Sequence, residues 1–237
     1  MIKVRDALPR DWVDFLGTGK IGVGGDLGTT EKDKSNPSCI VVTQHQPGQS
    51  LYYERLIFRF KTGEYQVSLA VFRMIIEDIL ATGRRPRALS VDASNNEFFA
   101  QMIRKELAGK CPVNLVKGGE NVKFRGVTGL AKPVLGNLYA SAYEDNFIAI
   151  PRAEWVVKDR RLVKREKGSF RADISEEGWH GDSYDGGKLA FWSLEGGGGN
   201  VEAQAMGPSP FGWMDEDEKA LRPFHELFEP EQVSVYA

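Results

Sequence analysis

Apolar and polar positions change their period twice along the 237 residues of this chain. Residues 1–20 show no clear periodicity and read as a leading arm. Three apolar, β-branched runs follow, Ile21–Leu27, Ser38–Gln44 and Leu51–Phe60, separated by short polar turns, and they predict an antiparallel three-stranded meander. The period then becomes helical over Glu64–Leu80, where Val67, Val71, Met74 and Ile75 share one face and Phe72, Ile76 and Ile79 another. Thr82-Gly83 stops that helix, and strand and helix alternate from there. Ala88–Asp92 and Pro112–Val116 read as short strands, Asn95–Leu107 as an amphipathic helix capped by its Ser/Asn cluster, and Pro133–Tyr143 as a further helix. Residues 153–172 alternate like a hairpin, with Trp155–Val157 and Arg161–Lys164 as its strands, and Ser183–Leu194 is the last helix. The break at Glu195–Asn200 introduces an acidic, Gly/Pro-rich tail, so the domain is expected to span 21–195 and the tail 196–237.

This order, three antiparallel strands and then alternating strands and helices, predicts an α/β chain. Its sheet is mixed and ribonuclease H-like, flanked by helices, with an added β-hairpin.

Charge sharpens the picture. The net charge of −2 argues against indiscriminate coating of nucleic acid, yet it hides two opposed segments. Between Arg152 and Arg171 stand eight basic residues against three acidic ones, whereas Met214 onward carries seven acids and two bases. Cys39 and Cys111 lie in no metal-binding or redox spacing and read as buried thiols of a reducing compartment, which makes a cytoplasmic location the expectation. No apolar run approaches the length of a membrane span.

Three carboxylates sit where a structural role explains them poorly. Asp26 ends the apolar strand V-G-G-D-L-G, Asp92 ends L-S-V-D-A-S, and Asp182 opens the last helix with Asp185 one turn later. A carboxylate at the end of a buried strand is costly unless it is paired or binds a metal. The predicted topology makes the first and fourth strands neighbours, which sets Asp26 beside Asp92, and a divalent cation is the usual reason for such an arrangement. Capping of the helix by Asp182, and favouring of its dipole by Asp185, are the simpler alternatives for that pair. The glycines around Asp26 read as room for an ion and a backbone phosphate. Phosphate-loop readings of this region fail: Gly17–Lys20 is followed by Ile21 rather than Ser or Thr, and no helix opens after Gly28. Asp26–Thr30 resembles the first phosphate motif of the actin and sugar-kinase ATPases, but no second copy appears.

With these acids in place, Gly24–Val42, Leu89–Ile103, Val127–Pro151 and the run HGDSYDGGKLAFW (His180–Trp192) together resemble the C-terminal nuclease domain of a tailed-bacteriophage terminase large subunit. The resemblance implies a metal-dependent endonuclease that cleaves double-stranded, concatemeric viral DNA during packaging by a two-metal-ion mechanism. It implies Asp26, Asp92 and Asp182 as the catalytic, metal-binding triad, with Asp185 able to take the third place, and two Mg²⁺ or Mn²⁺ ions as cofactor. Gly186-Gly187-Lys188 departs from the usual Ala-rich form of that closing helix. His180 is expected to support the site rather than ligate. The implied partners are an ATPase domain, which the sequence given does not contain, a small terminase subunit and a portal protein, and no membrane. DNA contacts are expected from Lys158, Arg160, Arg161, Lys164, Arg165 and Lys167 of the basic segment, and from Lys123, Arg125 and Lys132. A different ribonuclease H-like nuclease, such as a Holliday-junction resolvase, and a non-nuclease ATP-binding module are the alternatives.

Overall fold

The computed structural model describes residues 11–28, 36–166, 168–176 and 178–196. Six strands form one sheet in the order β5-β4-β1-β2-β3-β8: β1 (Ile21–Asp26), β2 (Ser38–Gln46), β3 (Leu51–Phe60), β4 (Pro86–Asp92), β5 (Val113–Val116) and β8 (Ile148–Ala149). β1, β2 and β3 pair antiparallel, whereas β4 joins β1, and β5 joins β4, in parallel. The expected mixed sheet and the neighbouring first and fourth strands are both present. Two two-stranded ribbons lie outside the sheet, β6 (Asn121–Phe124) with β7 (Val127–Leu130) and β9 (Val163–Glu166) with β10 (Ser169–Ala172).

Alternation along β1 explains the layers, because successive side chains leave a strand on opposite faces. Ile21 and Val23 face helices α1 (Tyr65–Ala81) and α2 (Glu97–Glu106), where Phe72, Ile75, Ile76, Ile79, Phe99 and Ile103 complete the main core. Asn96 caps α2 by accepting from the Phe99 N–H at 3.1 Å, as the Ser/Asn cluster predicted. The opposite face carries α5 (Asp182–Glu195), with α3 (Ala131–Glu144) and α4 (Glu154–Arg161) beside it. Here Gly22 and Gly24 decide the packing. A Cβ on Gly24 would lie 2.1 Å from the Gly186 carbonyl oxygen, and one on Gly22 would lie 2.4 Å from that of Ala190. These glycines therefore do not leave room for a ligand; helix backbone fills the space.

Two other expectations change. The second half of the leading arm is packed, since a single 3-10 turn at Trp12–Phe15 buries Trp12 and Leu16 in the main core. The segment read as a first hairpin strand, with Trp155–Val157, is helix α4, because Val156 and Asp159 recur at helical spacing and both are fully buried. Only its second part, β9 with β10, is a hairpin. The short ribbon β6–β7 was not anticipated at all. Residues 1–10, Thr29, Thr30 and the tail from 197 lie outside the described residues. Among those described, no helix is long and apolar enough to cross a membrane, and Cys39 and Cys111 are buried free thiols.

The Gly24 contact is to backbone, which cannot rotate away. Gly24→Ala is therefore expected to destabilise the protein by about 3 kcal/mol, the upper part of the range for overpacking. Denaturant unfolding checks this, and a loss below about 1 kcal/mol would show that α5 does not depend on the close approach.

Candidate active site

Asp26 is the last residue of β1 and stands opposite Cys39 of β2. Gly25 pairs with Val91 of β4, which puts Asp92 at the end of the adjacent strand, roughly one 4.8 Å strand spacing away. The two acids share the face that carries α5. On the same face, the Ser193 hydroxyl of α5 bonds to the Val23 carbonyl at 2.8 Å and to Ser90 at 2.7 Å, which ties the helix across both strands. Asp92 is held by the Ser94 N–H, which donates to its Oδ1 at 2.7 Å.

Helix α5 runs antiparallel to β1, so its N-terminus lies at the Asp26 end. Gly181 precedes it with a φ of 81°, a left-handed conformation suited to glycine. Gly181 has no side chain to cap the helix, and Asp182 does not do so either. The cap comes from α4: the fully buried Asp159 carboxylate accepts from Gly181 N–H at 3.2 Å, Ser183 N–H at 2.8 Å and Ser183 Oγ at 2.6 Å. Asp182 is thereby free of a capping duty. It is buried, and its Oδ2 has no hydrogen-bond partner among the described residues. Asp185, one turn on, is half-exposed and forms an ion pair with Lys188 through its Oδ1.

Four carboxylates thus converge at the C-terminal ends of two central strands, and their charges act on one another. Burial, then Asp185, Asp92 and Asp182 in that order, hold the Asp26 carboxyl well above the usual range, with Lys188 opposing them. Burial, then Asp159 and Asp185, push Asp182 up to about 7, against a smaller opposite effect of Arg59. Burial alone would lower the Lys188 ammonium, but Asp185, Asp26 and Asp92 more than offset it and raise it. Cys39, sealed in the core beside these acids, is held well above the ordinary thiol value by burial and by Asp159, Asp182 and Asp26. It is an inert thiol rather than a nucleophile.

The donor set is all carboxylate oxygen, which suits a hard divalent cation, and the unpartnered Asp182 Oδ2 is the kind of atom such an ion satisfies. As they stand, no three acid, His or Cys side chains among the described residues are spaced to hold an ion. Asp185 Oδ1 is in contact with the Lys188 ammonium.

The expected DNA-contacting residues fall into separate groups. Arg160 is a correction: its guanidinium is buried, pairing with Glu54 at 2.5 Å, donating to Tyr139 at 3.0 Å and to Tyr143, and reaching the Ser183 carbonyl at 3.2 Å. It cannot reach a phosphate. Arg161, Lys164 and Arg165 are exposed, Lys164 pairing with Asp173 at 2.5 Å. The hairpin that carries Lys164 and Arg165 stands beside the acids, since Phe170 stacks on Tyr184 and Val163 lies against Gly181. Lys158 is exposed on α4 and pairs with Glu154 at 2.8 Å, and Lys167 lies outside the described residues. On the other side, Lys132 lies against Gly118, whose N–H donates to Ser94 Oγ next to Asp92. Lys123 and Arg125 belong to the β6–β7 ribbon. Arg125 faces Glu195 at 3.6 Å, at the opposite end of α5 from the acids. His180 is half-buried in the turn before α5. Asp159 and Glu54 were missed altogether; a buried carboxylate announces itself in sequence only when the segment is known to be a helix or strand.

Two outcomes follow from these charges. Arg160→Met leaves Glu54 buried and unpaired and is expected to cost about 3–5 kcal/mol in unfolding experiments, whereas Lys158→Met on the same helix should be near neutral. Equal effects would return Arg160 to the surface. Asp182, with a folded pKa near 7 against an ordinary 3.8, binds a proton more tightly folded than unfolded. Its contribution is therefore fully present below about pH 4 and is lost as the pH rises toward 7, at up to about 1.4 kcal/mol per pH unit. In EDTA, Asp182→Asn should gain stability over wild type progressively between pH 5 and 7.5; a pH-independent difference counts against the assignment.

No family model matches the sequence, and no curated protein matches it. Solved structures do match. A variant of the nuclease domain of the large terminase subunit of bacterial virus Sf6, with manganese and beta-thujaplicinol, aligns with a TM-score of 0.53 and 10% identity over 80% of this chain and 98% of that one. The same domain with calcium gives 0.52 and 10% over 78% and 97%. The human cytomegalovirus terminase nuclease domain gives 0.49 and 12% over 73% and 82%. At 10% identity the two Sf6 alignments are a likeness of architecture alone, and the chain has the ribonuclease H-like fold of that nuclease domain.

Proposed function

We propose that this protein is a metal-dependent endonuclease that hydrolyses double-stranded DNA in genome packaging. The observation that carries this reading is the convergence of Asp26, Asp92 and the Asp182–Asp185 turn at the C-terminal ends of the central strands β1 and β4, reached from three separate elements. Asp26 and Asp92 on adjacent strands form one wall, and Asp185 is the helix acid that acts most strongly on Asp26. We assign Asp26, Asp92 and Asp185 as direct ligands, and Asp182, whose buried Oδ2 has no partner among the described residues, as a fourth. Two Mg²⁺ or Mn²⁺ ions held there would supply the positive charge that activates a water and stabilises the leaving 3′ oxygen. The related Sf6 domain has been obtained with manganese and with calcium, both of the oxygen-preferring class.

The chain's own residues would do the rest. Ser94 orients Asp92, and Asp159 fixes the start of the helix that carries Asp182 and Asp185. Arg161, Lys164 and Arg165 on one flank, with Lys132 on the other, would hold the duplex by its phosphates, and Lys167 is a further candidate from the sequence. Such contacts are salt-sensitive and indifferent to sequence. Lys158 is a more distant candidate on the first flank. Lys123 and Arg125 stand too far along α5 to share the scissile phosphate and would at most touch a flanking segment. Placement at a packaging site would come from the implied partners, namely an ATPase domain, a small terminase subunit and a portal protein.

Supercoiled plasmid is expected to be nicked and linearised with Mn²⁺ or Mg²⁺ and to survive in EDTA. Asp26→Asn, Asp92→Asn and Asp185→Asn should each lower cleavage at least a hundredfold with the fold retained, and Asp182→Asn distinctly less. Undiminished cutting by the Asp26 and Asp92 variants would overturn the site. Preferential cutting of four-way junctions over linear duplex would instead favour a resolvase.

A further inference from the structure

Lys188 is the one part of the acid cluster that the proposed chemistry leaves unused. It lies one turn beyond Asp185 on α5, its side chain only 14% exposed, with the ammonium on Asp185 Oδ1. Asp26 and Asp92 stand near enough to act on it as well. A lysine is rarely buried without partners of opposite charge, and here a lysine is placed where an all-carboxylate site would hold a cation. The two residues before it show how it gets there. A Cβ on Gly187 would lie 2.1 Å from the Tyr139 hydroxyl, and one on Gly186 would crowd Val41 at 3.0 Å. The pair of glycines lets this turn of helix sink between the sheet and α3, carrying Lys188 down to the acids.

We infer that Lys188 is a resident counter-ion which a divalent metal must displace from Asp185 in order to bind. The inference rests on the metal site proposed above. In the metal-free protein the ammonium screens the mutual repulsion of the carboxylates, so the closing helix keeps its place without an ion. The same contact removes a ligand atom from the site and weakens its hold on the metal. Lys188 thereby sets the concentration at which the site loads.

The test is Mn²⁺ binding without DNA, measured by electron paramagnetic resonance at constant ionic strength. Lys188→Met, which keeps length and removes charge, is expected to tighten Mn²⁺ binding about tenfold. Lys110→Met, which removes a distant cation paired with Glu77, should leave it within about twofold. A second measurement uses the unaltered protein: the rate of amine acylation at Lys188, read by mass spectrometry, should rise severalfold when Mn²⁺ is added. Unchanged or weaker Mn²⁺ binding by the Lys188 variant, or a lysine that stays protected with Mn²⁺ bound, overturns the displacement while leaving the metal site standing. Failure of both proteins to bind Mn²⁺ overturns the metal site and this inference together.

Discussion

The close approach of α5 to β1 is the constraint on which the site depends. Both β1 positions that face the helix before Asp26 are glycine, Gly22 and Gly24, and the helix answers with Gly186 and Ala190. Backbone lies on backbone. This brings the first turn of α5 to the level of Asp26 and Asp92, whereas ordinary side chains between the layers would hold the helix several ångströms farther out. Acids on a sheet and acids on a helix can then share one small volume, which neither element could arrange alone.

Such a volume resists being filled with like charge, and the surrounding structure shows what holds it together. The N-terminus of α5 presents free N–H groups and a favourable dipole, which tolerates acids in its first turn. Asp159 takes up two of those N–H groups from the neighbouring helix, and Arg160 next to it is fixed by Glu54, Tyr139 and Tyr143. Helix α4 therefore grips α5 with a carboxylate and a guanidinium on successive residues. Part of the positive charge that made the segment look like a nucleic-acid surface is spent inside the protein. The exposed remainder is shared between α4, with Lys158 and Arg161, and the β9–β10 hairpin, with Lys164 and Arg165, which the same packing presses against Tyr184.

Much of this was legible in the sequence. The three antiparallel strands, the crossover that makes β1 and β4 neighbours, and the acids at their ends all follow from apolar runs and their turns, because those features are local. What failed depended on partners distant in the chain. The helical repeat of α4 is written in Val156 and Asp159, and a buried aspartate does not register as a core position until Gly181 and Ser183 are known to meet it. The glycines of β1 looked like space for a ligand because sequence shows the missing side chain and not the helix that replaces it. Likewise the choice between Asp182 and Asp185 turns on rotation about the α5 axis, which is set by the sheet beneath.

The electrostatic state of the cluster also explains why its acids are so unequal. Asp92 and Asp185 lie at the rim, where Ser94 or Lys188 meets them. Asp26 and Asp182 lie deeper, and both are pushed toward the protonated form, chiefly by burial. Four ionised carboxylates cannot coexist there without added positive charge, and one lysine supplies only part of it. The cluster is therefore built against the stability of the fold, in the way expected of a functional rather than a structural group of acids. A site that merely closed the end of a sheet would have no reason to assemble four.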